Sequence, residues 1–380
     1  MLHADCLIVG AGIVGLAHAS VAAERGLRVT VLEREARPVG ASLRNFGFVT
    51  VTGQAAGITW RRARRSRDVW AALCGPAGIT VHQRGLTVCA RRPEALAVLE
   101  EFASGPMGVG CTVRRGAAGP GLRHDLAGAL ESPHELRVES REAISQLMRF
   151  LAEARGVRFL MGTAVQSVAA GHVETPAGRL TADHIVVCPG PDLATLFPEV
   201  FARRGVTLCK LHMMRVAPPG FRLAAPVMSD LGLVRYLGYA GCASLPALRA
   251  RLEAEQAAQL ADGIHLIAVQ GTDGSLVVGD SHHYAATPDP FQPEAVDARI
   301  LEELSAVLVL PAPVVTERWT GVYPSGPDTA FTEAVLPGVR LVSVTSGTGA
   351  STAFAIAEET MAELLGQPPP PHVAEEWRGE

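Results

Sequence analysis

The stretch Ala4-Asp5-Cys6-Leu7-Ile8-Val9-Gly10-Ala11-Gly12-Ile13-Val14-Gly15, followed 18 residues on by Glu33, decides how the chain folds. Its short apolar run reads as a strand buried on both faces. The pattern then predicts a helix from Ile13 to Arg25, ended by Gly26, and a second strand over Arg28–Leu32. Gly-x-Gly-x-x-Gly becomes informative in this strand-to-helix setting. Gly10 permits the tight turn, Gly12 lets the backbone approach a pyrophosphate, and Gly15 lets the helix lie close on the strand. The helix start, with Ile13 and Val14 in its first turn, offers unpaired N–H groups and a positive dipole end to phosphates. Glu33, followed by Arg34, can accept hydrogen bonds from both ribose hydroxyls and would repel a 2′-phosphate. The unit is therefore built for an ADP-ribose, and NADP is disfavoured. These residues alone leave FAD and NAD both open.

Outward from this unit, residues 40–60 are rich in Gly, Ser, Thr and Gln and read as a loop at the carboxyl ends of the strands. Helices are expected at about 61–74, 141–155, 245–260, 293–307 and 352–365. Strands are expected at 84–90, 157–160, 163–169 and 184–188, with a hairpin at Thr175–Gly178. Residues 105–137 read mostly as loop. Beyond 205 the runs 206–217, 232–238, 264–269 and 275–279 have strand texture, which suggests an antiparallel sheet carrying helical insertions. Strands at 313–323 and 339–344 complete the pattern. The fold class is therefore α/β, a Rossmann-like dinucleotide-binding domain with an inserted antiparallel-sheet substrate domain. The first spans 1–80, 138–204 and 320–380, and the second 81–137 and 205–319.

Composition sets further bounds. The chain has 380 residues, 48% hydrophobic and 19% charged, enough to bury a substantial core. A net charge of −4 gives no case for nucleic acid or an anionic membrane. Arg61, Arg62, Arg64, Arg65 and Arg67 cluster on what reads as a solvated helix face. No run approaches the roughly 20 apolar residues of a membrane helix. Seven scattered cysteines without C-x-x-C argue against a disulfide framework and a zinc site. With no leader pattern at the N-terminus, the expectation is a cytoplasmic protein. Lys210 is the only lysine, a weak hint that an ammonium is needed there.

Further segments carry a resemblance. Thr163–Val165, Ala182–Gly190 (Ala-Asp-His-Ile-Val-Val-Cys-Pro-Gly), Arg318–Pro324 with Pro327-Asp328, and Ser346-Gly347-Thr348-Gly349 follow the Gly-rich unit in order. Together they resemble the D-amino-acid oxidase, glycine oxidase and sarcosine oxidase superfamily over nearly the full length. The resemblance implies FAD as cofactor and an enzyme that oxidises a C–N bond in a small amine or amino acid, by hydride transfer to flavin N5. It implies contacts from Val165, Gly190 and the Gly347-Thr348-Gly349-Ala350 loop, whose N–H groups can face the flavin O2. Ser42-Leu43-Arg44-Asn45-Phe46-Gly47 lies where the family has its flavin-facing loop. Ser42 would then touch cofactor, while Arg44 and Asn45 would touch cofactor and substrate.

Two departures matter. Tyr323 stands where glycine and D-amino-acid oxidases have a carboxylate-clamping arginine, as in monomeric sarcosine oxidase. Gly321 replaces that enzyme's flavin-linking cysteine, which implies noncovalent FAD. In Gly279-Asp280-Ser281-His282-His283-Tyr284, a histidine of this kind faces the flavin in sarcosine oxidase-like proteins. His282, His283 and Tyr323 are the expected catalytic residues. Adjacent histidines point opposite ways, so one of the pair is expected to face the site. Val278 stands where sarcosine oxidase has an oxygen-activating lysine, leaving dioxygen or another acceptor open. On 208–215, alternation puts Lys210, His212 and Met214 on one face. Lys210 and His212, with Arg44, Asn45 and Tyr284, are the expected substrate contacts. The set looks closest to a subgroup associated with aminophosphonate metabolism, with (N-methyl) 2-aminoethylphosphonate as a candidate substrate. A sarcosine, glycine or D-amino-acid oxidase-like enzyme and a 2-hydroxy acid oxidoreductase remain alternatives. The carboxylates near His282 and His283 show no facial-triad spacing, so no metal is expected.

Overall fold

A computed structural model describes residues 3–116, 119–310 and 312–374. The βαβ unit is present as strand His3–Val9, helix Ile13–Glu24 and strand Val29–Leu32. His3–Val9 is central and pairs in parallel with Val29–Leu32 on one side and Gly178–Val187 on the other. Arg158–Leu160 and Val339–Ser346 extend this layer outward, also in parallel. Such a sheet must be covered on both faces, and its strands alternate between two apolar clusters. Cys6 and Ile8 pack with Leu16 of the first helix and with Phe354 and Ile356 of helix Gly349–Leu364. Leu7 and Val9 pack the other way with Val165, Val173, Phe201 and Phe331.

The arginine-rich helix, Ile58–Cys74, lies along the same terminal helix. Arg62 and Arg65 form ion pairs with Glu359 and Glu358, each at 2.6 Å, so part of the basic cluster ties two helices together.

A second group of strands centres on Thr207–Val216. It pairs antiparallel with Leu276–Gly279, His283–Ala285 and the 22-residue strand Val315–Leu336. That long strand serves both layers, because its later residues pair with Val339–Ser346. Pairing continues through Ile267–Gln270 and Val227–Met228 to Val81–Ala90 and Gly128–Val138, so 17 strands among the described residues join one mixed sheet. The α/β class is as expected.

Two segments differ from the expectation. Residues 105–137 are not mostly loop, for they contain strands Thr112–Arg115 and Gly128–Val138. Buried Leu130, Leu136 and Val138 anchor the longer strand, while Gly119, Pro120, Gly121 and Arg123 lie in the segment before it. Residues 232–238 are not a strand but two 3₁₀ turns, Asp230–Val234 and Leu237–Tyr239. Fully buried Asp230 fixes the first turn by accepting hydrogen bonds from Arg91 N and from Arg92 Nη1 at 3.0 and 3.1 Å. Arg235 follows directly on that anchored turn.

Candidate active site

The Gly-rich turn has the local geometry its residues require. Gly10 has φ +104°, and a Cβ there would come within 2.3 Å of the Cys188 carbonyl oxygen. A Cβ on Gly15 would lie 1.9 Å from the Gly10 oxygen, so only glycine lets the helix sit this close. At Gly12 a Cβ would stand 3.1 Å from Ser42 Oγ, which itself accepts a hydrogen bond from Ile13 N at 2.8 Å. Glu33 accepts from Ala11 N at 2.8 Å and from Glu35 N at 3.1 Å. These bonds hold the carboxylate at the end of its strand, and its remaining lone pairs stay available. Arg34 reaches Asp192 at 2.7 Å, tying the second strand to the segment after Gly190. Thr163 N donates to the Glu33 oxygen at 2.8 Å, but Val165 is buried in the core below and does not line the cavity.

A cavity of about 440 Å³ runs from this turn into the space between the two groups of strands. One end is lined by Gly12–Gly15, Ser42 and Gly190, and its side by Gly347–Ser351. Two helices, 12 and 16 residues long, thus point their N-termini into one cavity. Neither has an acidic residue in its first turn or a cap from its own N-cap side chain, so, apart from the Ile13 N–H that Ser42 takes, both positive ends remain for an anionic ligand. The second helix starts at Gly349, earlier than expected, and Ser351 in its first turn accepts from Thr50 N at 2.8 Å. This shape and donor set fit a dinucleotide with a flavin at the far end.

Tyr323 lines the cavity beside that loop, since a Cβ on Gly347 would lie 3.0 Å from its ring. Gly321, two residues earlier, faces the Arg44 carbonyl, which a Cβ there would meet at 2.9 Å. Beyond Tyr323 the chamber turns polar. Arg235, half-buried, donates from Nη2 to the Tyr284 hydroxyl at 2.9 Å and makes no ion pair among the described residues. Asp280, His265 and His282 share the chamber wall and are 4–6% exposed. His265 Nδ1 lies 3.2 Å from Asp280 Oδ1 without hydrogen-bond alignment, and both atoms are otherwise unpartnered. His282 Nε2 is 3.8 Å from Asp280 Oδ2. Burial pushes the Asp280 carboxyl up to about 8, against the opposing pull of Arg235. Burial first, and then Arg235, hold both imidazoles well below their ordinary range, so they are neutral. His282 Nδ1 sits 2.8 Å from the Gly263 carbonyl. A carbonyl only accepts, so Nδ1 carries the hydrogen and Nε2 is bare.

The expected substrate contacts divide. Arg44, Asn45, Tyr284, Tyr323 and His282 line the cavity. Arg44 is exposed, with no side-chain partner among the described residues. Asn45 is committed to its own loop, donating to the Ala41 oxygen at 2.8 Å and accepting from Gly47 N at 2.7 Å. Lys210 and His212 require correction, because the face they share points away from the cavity and Leu211 lines it instead. Lys210 Nζ donates to the Asp289 and Phe291 carbonyls, both at 2.7 Å, and His212 pairs with buried Asp297 at 3.0 Å. His283 is corrected likewise: its ring lies 5.3 Å from that of His212, on this far side. The sequence reading missed Arg235, His265 and Asp280. The only available signal was the charge of Arg235 and Asp280 within otherwise apolar runs.

A βαβ dinucleotide unit opening into a polar reaction chamber defines an oxidoreductase. The chain belongs to the family DAO, FAD dependent oxidoreductase, whose pattern matches residues 5–364. The dinucleotide is therefore FAD, which closes the choice against NAD. Among solved structures, the chain is similar to glycine oxidase from Geobacillus kaustophilus, at 18% identity and TM-score 0.74, covering 97% of this chain and 96% of that one. It is similar to L-proline dehydrogenase from P. horikoshii at 17% identity and TM-score 0.78, covering 98% and 96%. It is also similar to L-alpha-glycerophosphate oxidase from Mycoplasma pneumoniae with FAD bound, at 15% identity and TM-score 0.74, covering 100% and 98%. At these identities the likeness is one of fold. No curated protein sequence matches the chain. Among the described residues no helix is long and apolar enough to cross a membrane.

Proposed function

We propose that this FAD-dependent oxidoreductase oxidises the C–N bond of a small amine or amino acid that carries an anion. The observation that carries the reading is Arg235. Its guanidinium lies in the chamber, half-buried, with the Tyr284 hydroxyl as its one side-chain partner among the described residues. A partly desolvated cation calls for an anion, and a charge-assisted hydrogen bond is the strong kind. Bound in the cavity, FAD would supply the two-electron acceptor, its N5 taking a hydride from the carbon attached to nitrogen.

In this reading Arg235 and Tyr284 orient the substrate's anion, and Arg44 adds a second cation from another wall. Tyr323 and Leu211 close the chamber against water and hold the reacting carbon in place. The imine product leaves and hydrolyses in solution. Gly12–Gly15 and the N-terminus of helix Ile13–Glu24 would cradle the pyrophosphate, Glu33 the ribose, and Gly347–Ala350 the flavin ring. Noncovalent FAD belongs to the same reading, because Gly321 offers no sulfur and leaves no room for one beside the Arg44 carbonyl. So does the division into an FAD-binding domain (1–80, 138–204, 320–380) and a substrate domain (81–137, 205–319), with the chamber between them. The seven cysteines are free thiols, which suits a reducing compartment such as the cytoplasm. The finer assignment, an aminophosphonate such as N-methyl 2-aminoethylphosphonate, now rests on Arg235 and Arg44, since Lys210 and His212 face elsewhere.

The test is anaerobic mixing of the purified flavoprotein with amines, amino acids, aminophosphonates and 2-hydroxy acids. Bleaching of the flavin by anionic amines is expected. Bleaching by 2-hydroxy acids and by no amine would move the reading to C–O oxidation.

A further inference from the structure

An amine in water near neutral pH is an ammonium ion, and its nitrogen has no lone pair until a proton leaves. Only then can the neighbouring C–H bond give up a hydride. The chamber therefore needs a proton acceptor, and the Gly-rich and Gly347–Ser351 segments contain no titratable base. We propose that Asp280, held between His265 and His282 in the chamber wall, takes that proton. The proposal rests on the amine reading above and assigns the group that prepares the substrate for it.

The geometry supports Asp280 on three counts. It lines the cavity with an Oδ1 that has no hydrogen-bond partner, whereas Asp328, the other carboxylate among the described lining residues, pairs with Arg204. The flanking imidazoles bring one nitrogen each to the carboxylate, at 3.2 and 3.8 Å. The Gly263 carbonyl fixes the tautomer of His282, so its bare Nε2 faces Asp280 as an acceptor, which favours the protonated carboxyl once the proton has been taken. The groups around Asp280 also set its charge. Arg235 is the cation that acts on it, while Tyr236, whose ring lies 5.3 Å from that of His265, and Cys209 are neutral neighbours that it affects in turn.

The step balances without a co-reactant. The ammonium N–H bond breaks, its electron pair stays on nitrogen, and an O–H bond forms on Asp280. Charge favours this direction. Above its titration point, and in the minor fraction of molecules ionised below it, Asp280 carries its charge beside Arg235 before substrate arrives. Once the substrate's anion approaches that guanidinium, a second anion beside it is unfavourable, and protonation of Asp280 removes it. An acid titrating near 8 is well matched to this duty. Two imidazoles and a carboxylate within 4.8 Å also form a donor set for a transition metal. A dication there would stand beside the fixed charge of Arg235 with one carboxylate to offset both, so the acid–base reading is favoured.

Two measurements on the holoenzyme and on Asp280→Asn test this. Infrared spectra without substrate should contain a protonated-carboxyl band that disappears as pH rises through about 8, and Asp280→Asn should lack it. In rapid mixing with an amine substrate, flavin reduction by the parent protein should fall about tenfold per pH unit below that inflection. In Asp280→Asn the inflection should move up toward the amine's own value, roughly 10. In Arg235→Gln it should also move up, because the opposing charge is gone. A carboxyl band unchanged by Asp280→Asn, identical inflections in the two proteins, or a stoichiometric transition metal in the purified enzyme would each overturn the assignment. Failure of every amine to bleach the flavin would refute the function proposed above, while the infrared titration would still read Asp280.

Discussion

Arg235 Nη2 donates to the Tyr284 hydroxyl at 2.9 Å across the chamber, and this is the one side-chain hydrogen bond of Arg235 among the described residues. The cation arrives on a 3₁₀ turn fixed from below by Asp230 and Arg92.

Arg235→Ala should therefore raise KM for an anionic amine by about tenfold or more, given roughly 1.5–3 kcal/mol for a charge-assisted hydrogen bond. KM for a matched neutral amine should change little. Tyr284→Phe should have a smaller effect in the same sense. Steady-state kinetics with the two substrates checks this, and equal losses on both would remove Arg235 from anion binding.

Lys210 carries the opposite expectation. Its ammonium holds the Asp289 and Phe291 carbonyls rather than facing the chamber. Lys210→Met should lower the denaturation midpoint modestly, since the Asp289 and Phe291 carbonyls of an exposed segment lose their charged donor, at about 1 kcal/mol for a hydrogen bond. The ratio of KM values for anionic and neutral amines should stay at the parent value. A selective rise for the anion would return Lys210 to the site.

The contrast between Lys210 and Arg235 marks how far the sequence could be read. Gly10, Gly12, Gly15 and Glu33 were legible because their chemistry is local: a turn, a close approach and a strand end fall within one βαβ unit. Alternation along 208–215 correctly grouped Lys210 with His212. It could not tell which face meets the cavity, because that depends on helix Glu294–Val307, whose Asp297 binds His212 from the far side. Arg235 was hidden in an apolar run read as a strand. The turn there follows from a buried ion pair between residues 138 positions apart, Asp230 and Arg92. His265 and Asp280 meet through pairing of Ile267–Gln270 with Leu276–Gly279, another relation that spacing does not encode.

FAD retention should depend on the Gly-rich turn. Gly12→Val would crowd Ser42, and Glu33→Ala would remove both the ribose acceptor and the acceptor of Ala11 N. Each variant should purify with much less flavin than the parent protein. Acid precipitation of the parent should release all its flavin into the supernatant. Full flavin in both variants would refute the cofactor site, and a yellow washed pellet would refute noncovalent attachment.

The raised Asp280 also bears on stability. Its ordinary value is 3.8 and its folded value about 8, so its contribution is fully present below about 4 and is lost as pH rises toward 8. Asp280→Asn should accordingly gain stability relative to the parent over that window, by as much as roughly 1.4 kcal/mol per pH unit. Urea midpoints at several pH values read this directly. A difference independent of pH would mean that Asp280 is not held protonated in the folded protein.

The central claim, oxidation of an anionic amine, is tested most directly by anaerobic flavin reduction with three matched compounds. They share one secondary amine and differ only in bearing a phosphonate, a carboxylate or no anion. The account predicts bleaching by the two anionic compounds at concentrations about tenfold or more below that needed for the neutral one, in line with a charge-assisted hydrogen bond. The phosphonate should lead if Arg44 and Arg235 both engage it. Equal bleaching by all three, or by the neutral amine alone, would contradict the account.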